Sequence, residues 1–246
     1  MKDFSIVIPV RGNMKGLRIT LGAFELFTTH KDKLEVILVA DDDDPELMDY
    51  KLIGKDYSFD LTAYGVPRTD NFCESYYNFG ARKAVGTNIM VFNDDCYVQI
   101  NGWDDIVRGR IEANPQFNGV YLVNLLDSTY YDEKGLEFPR FPMISKKARE
   151  TIGFFFFPQV RMWPADKCIH DLYKAVGCVI TCHQVKLQHD HIYDKNDPSK
   201  SRMYRIMNED IANGVFPIDG NAQAKKLMEA IHGKSKDEAS TVSGQN

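Results

Sequence analysis

The stretch "NIMVFNDDCYV", residues 88–98, decides how this chain is read. A run of apolar, strand-forming residues ends abruptly on two adjacent aspartates, Asp94 and Asp95. Like charges so placed repel, so the pair is either a solvated turn or a seat for something positive. Hard carboxylate oxygens suit Mg²⁺ or Mn²⁺, and such ions are commonly held by one or two carboxylates together with substrate phosphates. An Asp-Asp pair alone is more often a solvated turn, so the surrounding sequence has to decide.

Working outward, "FSIVIPV" (4–10) and "LEVILVA" (34–40) are near-continuous apolar runs, the pattern of strands buried on both faces. Helical spacing between them, over 15–30 and again over 71–86 with Gly86 as a stop, predicts strands alternating with helices and hence an open, mostly parallel sheet. Ligands bind such sheets at the carboxyl edge of the strands. All three strong strands end there on polar loops: Arg11-Gly12-Asn13, the four aspartates 41–44, and Asp94-Asp95. In the acidic loop "DDDDPE", Asp44 before Pro45 predicts a helix cap, leaving Asp41, Asp42 and Asp43 to face a ligand. Further on, the sequence predicts a short strand at 59–64, another at 119–127, and helices at 142–153 and 164–177. Two short strands, "CVITC" and "QVKLQHD", and helices over 199–213 and 219–232 follow, before a disordered polar tail at 234–246.

The chain has 246 residues, 43% hydrophobic and 26% charged, enough for one large domain or two closely fused halves. The longest all-apolar piece, "FFFF" at 154–157, is far too short for a membrane span, and the N-terminus lacks the pattern of a signal peptide. A cytoplasmic protein is expected. The five cysteines include no CxxC pair and are expected to be reduced. The net charge of −5 hides an asymmetry: residues 1–139 hold 14 Lys+Arg against 23 Asp+Glu, whereas residues 140–205 hold 12 against 6. "QHDHIYD" at 188–194 sets His189 and His191 about Asp190, within that basic half, as candidates for a metal shell or a diphosphate contact. No GxxxxGK[ST], GxGxxG or GxSxG occurs, which argues against P-loop, dinucleotide and serine-hydrolase chemistry.

Taken in order, "FSIVIPVRGN", "EVILVADDDDPE" and "NFGARKAVGTNIMVFNDD" resemble the nucleotide-binding half of family 2 glycosyltransferases. Asn78, Gly80, Ala84 and Gly86 fall on that family's N-x-G-x-x-x-A-x-G pattern, which precedes its metal-binding Asp-x-Asp motif; Asn93 stands at the motif's first position. The match continues through Asp166, Gly177 and His189, with Ala165 where the family commonly has a glutamate, and spans roughly residues 4–192. The resemblance implies an α/β GT-A (Rossmann-like) fold: a mostly parallel central sheet flanked by helices, with a smaller acceptor-side α+β region. Residues 1–100 would form the nucleotide-sugar-binding half and 101–233 the acceptor-binding half of the same domain.

The implied activity is metal-dependent, inverting transfer from a nucleoside-diphosphate sugar, expected to be a UDP-sugar, to an acceptor hydroxyl. On this reading Asp95, Asp94 and His189 hold Mn²⁺ or Mg²⁺. Pro9, Arg11, Asp41, Asp42, Asp43, Asn78, Arg82, Asn93 and Asp94 surround the nucleotide sugar. Asp166 is the general base, with Asp171 one turn along the same helix as its rival. The basic stretch, with Lys146, Lys147, Arg149, Arg161, Lys195, Lys200, Arg202 and Arg205, suggests an anionic acceptor: a glycan, a lipid-linked phosphate, or hydroxymethylated bases of phage-type DNA. A sugar-phosphate nucleotidyltransferase, faintly suggested by "PVRGNMKG", and an inactive binding domain are the other classes weighed. The oligomeric state is open.

Overall fold

Strand β1, Phe4–Val10, is buried along nearly its whole length. In the computed structural model, which describes residues 1–127, 139–189, 198–216 and 218–233, it lies inside an eight-stranded sheet of order β3-β2-β1-β4-β7-β6-β8-β5. The expected tail at 234–246 lies outside the described residues. Strands β2 (Leu34–Asp41) and β4 (Asn88–Val91) flank β1, and β3 (Asp60–Val66) lies beyond β2. All of these pair in parallel. Their carboxyl ends therefore share one edge, as the apolar runs predict.

The other half of the sheet is mixed. β7 (Met143–Ser145) is antiparallel to β4 and to β6 (Leu122–Asp127), and β8 (Val179–His189) runs parallel to β6. The chain leaving Asp94-Asp95 does not turn into a helix. It crosses the edge and adds β5 (Cys96–Val98) antiparallel to β8, with Cys96 opposite His189. That crossing builds the site described below.

Helices α1 (Met14–Phe27) and α4 (Trp103–Glu112) cover one face, where Leu17, Leu21, Phe24 and Trp103 pack on Phe4, Ile6, Ile8 and Leu38. The buried Trp103 indole also donates to Thr28 Oγ1 at 2.9 Å, which satisfies its one polar atom. Helices α5 (Lys146–Ile152), α6 (Ala165–Val176) and α8 (Asn221–His232) cover the other face over Val7, Val39 and Ile89. Short helix α2 is Leu47–Leu52, α3 is Phe79–Lys83, and α7 is Pro198–Ala212. None of the helices described is long and apolar enough to cross a membrane.

Three sequence expectations change. The predicted helix over 71–86 is a wide π turn, Cys73–Asn78, running into α3, which ends at Lys83. Gly86 is therefore no helix stop. A Cβ there would come within 2.8 Å of the Phe4 and Ser5 backbone, so the residue permits close passage beside β1. The predicted helix at 142–153 begins four residues late, at Lys146, because Met143–Ser145 pair into the sheet. The two short strands at the end of the basic stretch are one strand, β8, with an irregularity opposite Leu125 and Leu126. Alternating buried and polar positions carry β8 through the bulge where local sequence suggested a break. All five cysteines are free, as expected.

Gly80 sets the distance between α3 and the sheet. A Cβ on it would lie 2.3 Å from Val7 Cγ1 and 3.2 Å from Val39 Cγ2, both in fully buried side chains. β-branched neighbours in a packed core cannot swing aside freely. Gly80→Ala is expected to destabilise the fold by about 1–3 kcal/mol, the usual cost of overpacking, read as a lower urea midpoint with an unchanged m-value. An unchanged midpoint would show that α3 is free to shift.

Candidate functional site at the carboxyl edge of the sheet

The first group of residues gathers around the end of β4. Asp95 Oδ1 lies 3.3 Å from His189 Nε2, although 94 positions separate them in the chain. The pairing of β5 with β8 brings them together, and His189 is buried with its ring edge-on to Phe141 at 5.4 Å. Cys96 Sγ also lies 3.4 Å from Asp95 Oδ1, and the three ligand atoms fit within 4.8 Å of one another. Burial holds the Cys96 thiol well above its ordinary pKa, so it stays protonated. A carboxylate and an imidazole with oxygen-rich surroundings remain, a donor set that fits Mn²⁺ or Mg²⁺ completed by substrate oxygens.

Asp94 is pushed up to about 7, first by burial and then by the charge of Asp95. A hydrogen bond from Asn13 works against that shift. Asn13 also caps α1, its Oδ1 accepting from Gly16 N at 3.1 Å. The helix fits tightly here, for a Cβ on Gly16 would lie 2.8 Å from the Asp94 carbonyl oxygen. The amino end of α1, with its positive dipole end, thus borders the acidic pair. Asn93 turns the other way and accepts from the Tyr77 hydroxyl at 2.9 Å.

The second group is the acidic loop after β2. Asp41 is buried and accepts from Tyr76 Oη on one oxygen and from Arg11 Nη1 at 2.7 Å on the other. Arg11 Nη1 also reaches Asp43 Oδ1 at 2.6 Å, which holds the Asp43 carboxyl below its ordinary range. Arg68, beyond the end of β3, approaches Asp41 at 3.8 Å. The Tyr76 hydroxyl is raised to about 12 by burial and by its bond to Asp41. Asp42 is exposed at the loop tip. Asp44 does not cap α2, since Glu46 occupies the cap position. Its carboxylate instead accepts from Gly12 N at 3.1 Å, Glu46 N at 2.9 Å and Tyr50 Oη at 3.4 Å. It ties the loop after β1 to the loop after β2.

The third group centres on Asp166, in the first turn of α6. Burial raises it to about 6, while its bond from Lys167 N at 2.8 Å and the charge of Arg140 pull it down. Arg140 in turn lies 3.6 Å from Asp127, at the end of β6. The buried Cys73 thiol lies within the field of Asp166, and the buried Tyr77 hydroxyl within that of Cys73, Asp94 and Asp95. The π turn touches both neighbourhoods: Cys73 N donates to Arg161 O at 3.1 Å, just before α6, and Tyr77 donates to Asn93, just before the acidic pair. The rival Asp171 is exposed and ion-paired to Lys167. Of the two, Asp166 is the one that burial raises, to about 6.

Other expected residues lie elsewhere. Asn78 is buried, and its amide is spent on the chain itself: Nδ2 donates to Phe156 O at 2.9 Å and to Glu74, and Oδ1 accepts from Phe155 N and Phe156 N. It fastens the "FFFF" segment to the π turn. Arg82 is ion-paired to Glu74 at 2.8 Å. Pro9 sits in β1 opposite Val39, one step from the strand's end. Asp190, His191 and Lys195 lie outside the described residues, as does the Lys200 side chain.

The basic stretch is divided by the fold. Arg161 pairs with Asp210 at 2.5 Å and with Glu209, while Arg202 and Arg205 both pair with Asp70 at 2.7 Å. Ser145 pairs with Asn88 at the start of β4, so Lys146 and Lys147 open α5 at the edge opposite the acidic pair. The charge count could not show this, because it does not see partners. Sequence reasoning also missed Asn13, Arg68, Tyr76, Tyr77 and Arg140. The Arg11-Gly12-Asn13 turn had pointed to Asn13's loop, but nothing local marked the others.

No protein-family model and no curated protein sequence matches the chain. Solved structures do. Staphylococcus aureus TarS superposes with a TM-score of 0.60 at 11% identity, over 100% of this chain and 46% of that one. The mannosyltransferase PcManGT from Pyrobaculum calidifontis, solved with GDP-Man and Mn²⁺, gives 0.62 at 13% over 92% of this chain and 68% of that one. GalNAc-T7, solved with UDP, GalNAc and Mn²⁺, gives 0.63 at 12% over 94% of this chain and 54% of that one. The chain thus spans about half the length of TarS and of GalNAc-T7. These likenesses show that the chain has the GT-A fold.

The raised carboxyls of Asp94 and Asp166 give a stability signature. Each keeps its proton in the fold at pH values where the unfolded chain has lost it. The stability so gained is full below about pH 4 and is lost as pH rises through about 6 for Asp166 and about 7 for Asp94. In EDTA, Asp94→Asn and Asp166→Asn should each gain on the order of 2 kcal/mol relative to the parent between pH 4.5 and pH 8, measured by urea unfolding at both pH values. A pH-independent difference would contradict the burial of these groups.

Proposed function

We propose that this chain is a metal-dependent, inverting glycosyltransferase that moves a sugar from a nucleoside-diphosphate sugar to an acceptor hydroxyl. One observation carries the reading. Asp95 and His189 meet at the carboxyl edge of a GT-A sheet, beside Asp94, whose carboxyl is raised by burial and by the charge of Asp95. The presence of nucleotide sugars or nucleotides with Mn²⁺ in PcManGT and GalNAc-T7 supports the donor and metal classes.

Asp95, Asp94 and His189 would hold Mn²⁺ or Mg²⁺. When bound, that ion neutralises charge developing on the diphosphate leaving group. The amino end of α1, capped by Asn13, adds its positive dipole end on the same side. The loop Asp41–Asp43 with Arg11 and Arg68 receives the nucleoside. Asp166 Oδ takes the proton from the acceptor hydroxyl as that oxygen forms its bond to the anomeric carbon. The bond from that carbon to the diphosphate oxygen breaks, and the electron pair leaves with the diphosphate. A carboxyl near 6 is mostly ionised at neutral pH, yet is a stronger base than an ordinary aspartate. Arg140 keeps it from rising further.

The acceptor was expected to be anionic from the basic stretch, with DNA among the candidates. Arg161, Arg202 and Arg205 already have carboxylate partners, and Lys146 and Lys147 open at the far edge. The charge argument thus keeps fewer cations than the sequence suggested, and the reading here commits only to a hydroxyl acceptor.

With Mn²⁺ and a nucleoside-diphosphate sugar, the chain should release the nucleoside diphosphate. A nucleotidyltransferase would instead release pyrophosphate from a triphosphate. Asp95→Asn and Asp166→Asn should each lower kcat by about 10²–10⁴-fold, and kcat/KM should fall on the acid side with an apparent pKa of about 6. Turnover unaffected by EDTA, or pyrophosphate as product, would refute the assignment.

A further inference from the structure

The acidic loop invites the reading that its carboxylates accept hydrogen bonds from a nucleobase, which is what the expectation of uridine rests on. The geometry redistributes those roles. Asp41 is 3% exposed and both its oxygens are engaged, one by Tyr76 Oη and the other by Arg11 Nη1. Arg11 is held in turn between Asp41 and Asp43. Asp43 and Arg11 reach solvent but are bound to each other, so beside this network the Arg68 guanidinium, 49% exposed, and the exposed Asp42 carboxylate are the groups left to meet a ligand. Arg68 approaches the network at 3.8 Å, Nε to Asp41 Oδ2, with half of its side chain exposed. Asp42 is fixed close by, because its N–H donates to Val66 O at 2.8 Å, two residues before Arg68.

A planar cationic fork next to a carboxylate offers two adjacent donors beside two adjacent acceptors. Among the common nucleobases guanine matches that pattern: O6 and N7 are neighbouring acceptors suited to an arginine fork, and N1–H and the 2-amino group are neighbouring donors suited to a carboxylate. Uracil offers a single N3–H between two carbonyls, and adenine and cytosine each pair only one amino group with ring acceptors. From this we infer that the nucleoside subsite reads guanine, through Arg68 on its acceptor edge and Asp42 on its donor edge. Asp41, Arg11 and Tyr76 are positioning residues that orient Arg68 and the loop. The donor substrate is then a guanosine-diphosphate sugar. This inference rests on the transferase reading above and specifies its donor.

The test is equilibrium binding of GDP, UDP, CDP and ADP to the whole chain in the presence of Mn²⁺, by calorimetry. GDP should bind at least about tenfold more tightly than the other three, the discrimination expected of one good bidentate contact. Arg68→Lys keeps the charge but removes the fork. It should weaken GDP about tenfold, level the preference, and leave the circular dichroism and the melting temperature without nucleotide unchanged. If UDP or another diphosphate binds as tightly as GDP to the parent chain, the guanine assignment fails while the transferase reading stands. If Arg68→Lys keeps the preference, Arg68 is not the reader and the inference fails at that residue. Binding of no diphosphate would overturn both.

Discussion

Two adjacent carboxylates held at the end of a buried strand are the constraint on which this structure turns. Asp94 and Asp95 repel each other and are partly withdrawn from water, which raises Asp94 to about 7. The fold surrounds that repulsion with partial or potential positive charge. The amino end of α1 and the Asn13 amide lie on the Asp94 side, and the His189 imidazole lies 3.3 Å from Asp95. These groups soften the repulsion without cancelling it, since a cation would compete with the Asp94 proton. Such an edge favours a divalent ion that arrives with negatively charged ligands of its own.

The same edge treats its other carboxylates differently. Asp41, Asp43 and Asp44 are satisfied within the chain by Arg11, Tyr76, Gly12 and Tyr50. Asp41 and Asp44 are buried, so removing a partner of either would leave a buried group uncompensated, and these two fix loop geometry more than they offer free lone pairs. One run of aspartates thus divides into scaffold and contact groups, and the acidic pair after β4 is left as the place where charge is unbalanced. Asp166, in the first turn of α6, is raised by burial against the pull of its bond from Lys167 N and the charge of Arg140.

Much of the sheet was legible because β1, β2 and β4 are continuous apolar runs, a pattern that only strands covered on both faces require. Their polar ends then located the site edge directly. What stayed hidden depends on contacts between distant residues. Cys96 pairs with His189 through a crossing that no periodicity marks, and Tyr77 reaches Asn93 only because a π turn rotates it there. Asn78 and Gly86 stood out in the sequence, yet the geometry makes both of them packing devices. The basic stretch misled for a related reason: composition counts Arg161, Arg202 and Arg205 but not the Asp70, Glu209 and Asp210 that hold them. The preference of Asp166 over Asp171 likewise came from burial, since both lie on one helix.

The central claim is that the Asp94-Asp95 edge and His189 bind a divalent ion together with a nucleoside diphosphate. Electron paramagnetic resonance of Mn²⁺ measures this directly, because the six-line signal of the free ion diminishes on binding. The account predicts a modest decrease with protein alone and, when a nucleoside diphosphate is added, a further decrease beyond the one the diphosphate causes without protein, with Asp95→Asn and His189→Ala each removing most of the protein-dependent part. A signal that Asp95→Asn leaves as diminished as in the parent chain would contradict it.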